Sequence, residues 1–101
     1  MTATAPGSAD PVGDQAHVVA AAVLALPGVA QLHAGLFGEV ATYLPGERVT
    51  GVRLRDTFCE VHVVVVWGSP VLAIAERIRS TVTAITGGPV DVTIEDVVPG
   101  S

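Results

Sequence analysis

The stretch TGVRLRDTFCEVHVVVVW, residues 50–67, decides the fold. Thr50, Val52 and Leu54 alternate with Gly51, Arg53 and Arg55, which is the period of a half-buried strand. After Asp56-Thr57 a second strand runs Phe58 to Trp67. Its odd members, Cys59, Val61, Val63, Val65 and Trp67, are all apolar, and its even members begin polar at Glu60 and His62. An even-length turn at Asp56-Thr57 sets Leu54 against Cys59 and Val52 against Val61 on the buried face. The same register sets Arg53 opposite Glu60 on the other face, a cross-strand pair worth roughly a few tenths of a kcal/mol. A slip of one residue buries the arginines, so the register is well specified.

Working outward, Ser69-Pro70 reads as an N-cap followed by proline at the first helical position. Val71, Ile74, Ile78, Val82 and Ile85 then recur at helical spacing, with Glu76, Arg77, Arg79, Ser80 and Thr83 outside the stripe. Gly87-Gly88 closes this helix. Val90 to Val98 is a last strand, with Val90, Val92 and Ile94 on one face and Asp91, Thr93 and Glu95 on the other. Upstream, Asp10-Pro11 opens a helix that runs to Leu26 and is stopped by Pro27-Gly28. Its stripe is Ala16, Val19, Val23 and Leu26, and from Val18 it is apolar nearly all round. Either alanine covers the wet face or something else does. Val29 to His33 is a short strand, and Gly35 to Leu44 one to two turns of helix ended by Pro45-Gly46. Strands with one apolar face and two helices to cover it make a two-layer α+β sandwich, with a small, mostly antiparallel sheet of three to four strands.

A chain of 101 residues, half of them hydrophobic and 15% charged, forms one domain, placed here at residues 10–98. Residues 1–9 read as a disordered tail and 99–101 as a frayed end. The longest apolar run, Val18 to Pro27, is far short of the ~20 residues that span a bilayer. No basic region precedes a hydrophobic stretch, so the expected compartment is the cytoplasm. A net charge of −5 is the wrong sign for gripping phosphates or anionic lipid, so neither nucleic-acid binding nor direct membrane insertion is expected.

The residues that carry chemistry are sparse. His17, His33 and His62 form no ligand pair, and the lone Cys59 sits on the apolar face, where a thiol behaves as a small hydrophobe. No triad order, phosphate loop or dinucleotide fingerprint is present. No catalytic residue, metal or cofactor is therefore expected. Arg53, Arg55, Glu60 and His62, with Asp91, Thr93 and Glu95, share the outer sheet face, as a solvated face or as a polar binding surface. Gly35-Leu36-Phe37-Gly38 has the G-x-x-G form of a KH loop, but no base is adjacent. The short helix carrying Leu36, Phe37, Val40, Tyr43 and Leu44 is either a contact site or a cap on an open end of the core.

From Val19 to Val98 the chain resembles the bacterial alkaline shock protein family, also called the envelope stress response family. The resemblance rests on the helix leading into Pro27-Gly28-Val29-Ala30, the hairpin of Val52-Arg53-Leu54 with Cys59 to Val66, and Trp67-Gly68-Ser69-Pro70-Val71. It continues through Ala75-Glu76-Arg77-Ile78 to Thr86-Gly87 and the closing strand Val90 to Val98. Order and spacing together carry it. It implies a non-enzymatic cytoplasmic protein of stress response and cell-envelope homeostasis that binds itself or a membrane-anchored envelope protein. Residues alone leave two other classes open: a KH-like module for single-stranded nucleic acid, and a small-ligand or metal-binding domain using the polar face with His62.

Overall fold

The structure is a computed structural model that describes residues 11–100. The expected tail at 1–9 and the Asp10 cap lie outside the described residues. Helix α1 spans Pro11–Leu24, then come β1 Val29–Leu32, β2 Ala41–Leu44, β3 Glu47–Thr50, β4 Val52–Leu54 and β5 Cys59–Val66, and finally α2 Val71–Thr86 and β6 Val90–Val98. This is an α+β fold with a four-stranded sheet and a separate two-stranded hairpin.

β5 is the centre of the main sheet. Its apolar length lets it take a neighbour on each side. β6 lies parallel along one side, joined to β5 by α2. On the other side β4 and β1 lie end to end, both antiparallel to β5. The expected register is met: Val52 faces Val61, Arg53 faces Glu60 and Leu54 faces Cys59.

Both helices cover one face. Ala16, Val19 and Val23 from α1 meet Ile74, Ile78 and Val82 from α2 over Val52, Cys59, Val61, Val63 and Val65. The solvent side of α1 carries Asp14, His17 and Ala21, with Val18 and Leu24 about half exposed beside them. α1 stops two residues before Leu26, because the Leu26 amide turns back to the Val23 carbonyl at 3.1 Å and tightens the last turn.

Four expectations are corrected. The segment ending at Leu44 is not helical: Ala41–Leu44 pairs with Glu47–Thr50 as a hairpin around Pro45-Gly46. The short apolar run fits either period, and the hairpin wins by seating Ala41 and Val49 in buried positions. The strand expected from Thr50 to Leu54 is cut at Gly51, whose φ of +82° turns the chain from β3 into β4. Pro70, not Ser69, is the N-cap of α2, with no side-chain hydrogen bond to the cap. Trp67 is 77% exposed, because β5 ends at Val66 and the chain turns before Trp67 reaches the core.

Candidate interaction surface

The loop between β1 and β2 is tied at its base and bare at its tip. The Val40 amide donates to the Ala34 carbonyl at 2.8 Å and the Gly38 amide to the Gly35 carbonyl at 3.2 Å. His33 Nδ1 accepts from the Gly35 amide at 2.9 Å, and Glu39 Oε1 accepts from the Phe37 amide at 3.2 Å. These bonds hold Leu36 at 84% and Phe37 at 89% exposure. Tyr43, on β2, is also exposed. Val40 and Leu44, expected on the same surface, are not on it. Val40 is buried and Leu44 packs half-buried against the core. Strand geometry, with its alternating faces, separates the residues that a helix stripe would have joined.

The outer face of the sheet gathers Arg53, Arg55, Glu60, His62 and Glu95 in ion pairs. Glu60 Oε2 faces Arg55 Nε at 3.3 Å and Arg53 Nε at 3.8 Å. That oxygen is sealed from solvent and makes no hydrogen bond, so it is held by charge and not by an aligned donor. The Arg55 guanidinium also lies 5.9 Å from the centre of the Phe58 ring. His62 Nδ1 and Glu95 Oε2 are 2.5 Å apart, with both side chains 15% exposed. That pair was not legible as a pair. His62 faces Thr93 in the register, and Glu95 lies two residues on along the same strand, beside an irregularity between Val63 and Val64.

Two concavities lie elsewhere on the molecule, and neither includes His62 or Glu95. One, of about 490 Å³, lies between the β4–β5 turn and the α2–β6 loop, with Arg55, Phe58, Cys59 and Gly88 in its wall. The other, of about 170 Å³, lies between Pro27-Gly28 and the start of α2. Burial, and secondarily the negative charge of Glu60, push the Cys59 thiol up to about 11. The thiol is therefore protonated at neutral pH and is not a ready nucleophile. Among the described residues no group of three or more His, Cys, Asp or Glu is placed to hold a metal ion. Among them, too, no helix is long and apolar enough to cross a membrane.

Sequence reasoning missed a second exposed apolar group at the β5–α2 turn, where Trp67 and Leu72 stand 77% and 83% exposed. Leu72 lies outside the Val71–Ile74–Ile78 stripe, which was the available signal. The chain matches no known protein family, curated protein or solved structure.

Proposed function

We propose that this chain is a non-enzymatic interaction or scaffold protein of the alkaline shock (envelope stress response) type. It works in cell-envelope homeostasis, in the cytoplasm, by associating with itself or with a membrane-anchored envelope protein at the inner face of the membrane. One observation carries this reading: Leu36 and Phe37 are held almost fully exposed on a loop that backbone bonds keep closed. Large apolar side chains presented on an ordered loop are the usual anchors of a protein contact. The charged outer face supports it, since its Glu60 and Glu95 carboxylates are spent on Arg53, Arg55 and His62.

Light scattering across a concentration series, with co-purification from envelope fractions, tests the reading. The wild-type chain associates with itself or retains an envelope protein, and Leu36→Ser with Phe37→Ser weakens that association. A strict monomer at high concentration that retains nothing from the envelope overturns it.

A further inference from the structure

The charged row across the outer face ends on a carboxylate that nothing answers. The registers place Arg53 opposite Glu60 and Glu60 opposite Asp91. Glu60 has its two arginines. Asp91 is exposed and has no ion-pair partner among the described residues. Like charges in neighbouring sheet positions repel, and a base on the far side of β6 would relieve them.

The far side of β6 is open. Among the described residues β6 pairs with β5 alone. The Cys59 amide donates to the Pro89 carbonyl at 3.1 Å, so in the parallel ladder Pro89, Asp91 and Thr93 turn their backbone groups toward β5. Val90, Val92 and Ile94 turn theirs outward. Beyond the irregularity the edge is closed, since the Val97 amide is taken by Asp96 Oδ1 at 2.8 Å. On the opposite side of the sheet the β4 stretch is obstructed as well. The Val52 carbonyl accepts from Thr42 Oγ1 at 2.7 Å, and the Gly51 amide donates to the Val40 carbonyl at 2.8 Å. Val90–Ile94 is therefore a free edge, where Val92 and Ile94 lie half-buried against the core and leave apolar surface for a further strand to cover.

Charge selects the occupant. β6 holds Asp91, Glu95 and Asp96 and no base, so pairing β6 with β6 of a second copy sets six carboxylates in one ribbon. Residues 1–10 of the chain contain no Lys or Arg either. We propose that the Val90–Ile94 edge accepts an extended basic segment of a partner protein. Its backbone pairs with Val92 and Ile94, its alternate apolar residues cover them, and a Lys or Arg stands opposite Asp91. The proposal rests on the interaction reading above and names the chemistry of the partner.

The test is titration of the full chain with an eight-residue peptide of alternating Val and Lys, followed by amide hydrogen exchange. The Val92 and Ile94 amides become protected on binding, and a peptide with Glu in place of Lys binds more weakly. Asp91→Lys weakens the Lys peptide about tenfold, whereas Glu76→Lys, the same charge change on exposed α2, does not. Binding without protection of Val92 and Ile94, or equal weakening by both variants, overturns the proposal. So does protection of these amides that rises with protein concentration alone, which assigns the edge to a second copy. If the peptide fails while Leu36→Ser with Phe37→Ser still abolishes association, the interaction reading stands and this proposal falls.

Discussion

The amide of His62 donates to the carbonyl of Gly51 at 3.0 Å, and the carbonyl of His62 accepts from the amide of His33 at 2.9 Å. One residue of β5 thus hands the chain over from β4 to β1. Gly51 makes the handover possible. A Cβ there would stand 2.7 Å from Leu32 Cβ, 2.9 Å from the His33 amide nitrogen and 3.0 Å from the His62 carbonyl oxygen.

Gly51→Ala therefore costs about 3 kcal/mol or more, since it combines a positive φ with backbone that cannot move aside. Gly46 has a φ of +78° with nothing within 4 Å of a Cβ. Gly46→Asn, which tolerates that φ, costs less than about 1 kcal/mol. Urea unfolding of the two variants checks the contrast; equal losses would contradict it.

Glu60→Gln lowers stability by about 1 kcal/mol, because two guanidinium groups lose the carboxylate between them. Glu76, 73% exposed and 2.9 Å from Arg79 on α2, should lose no more than about 0.5 kcal/mol on the same change. Thermal melts in low and high salt separate the two, and the Glu60 effect is the less screened by salt.

Cys59 gives the stability a pH window. Its thiol titrates at 9.0 when unfolded and at about 11 when folded. Between those values the unfolded chain has released the proton and the folded chain has kept it. Stability is therefore whole below pH 9 and falls as pH rises from 9 to 11. Cys59→Ala removes that part of the fall. A profile unchanged by the substitution counts against the assignment.

Ile78 is the largest side chain buried without exposure. Ile78→Ala costs about 2–5 kcal/mol through lost burial and the cavity it leaves. Leu72→Ala, less than two turns earlier on α2 but 83% exposed, changes stability by less than about 0.5 kcal/mol. Denaturant titration measures both.

Where the sequence repeats strongly, the fold is legible. The alternation from Val52 to Val65 yields the β4–β5 register, with Arg53 opposite Glu60, and the spacing of Ile74, Ile78 and Val82 yields the buried stripe of α2. Leu36 to Leu44 misleads because its spacing suits a helix, while the partner that makes it a strand, Glu47–Thr50, lies beyond a turn. Of the expected surface, Leu36, Phe37 and Tyr43 are exposed and Val40 and Leu44 are not. Side-chain type alone does not separate an apolar residue on a loop tip from one beneath it. The His62–Glu95 pair lies diagonally across the ladder beside a register shift, and a single extra residue in a ladder leaves no periodic trace.

The tandem placement of β1 and β4 along β5 makes the intervening residues 33–50 an excursion that leaves the sheet and rejoins it at one point. Among the described residues its tip at 35–39 makes no hydrogen bond to the main sheet, whereas Val40 and Thr42 bond to Gly51 and to β4. What the excursion must keep are the residues that plug back inside, Val40, Ala41, Thr42 and Val49. The exposed Leu36-Phe37 tip thus sits outside the main sheet, where exchanging its side chains leaves the pairing of β1 and β4 with β5 in place.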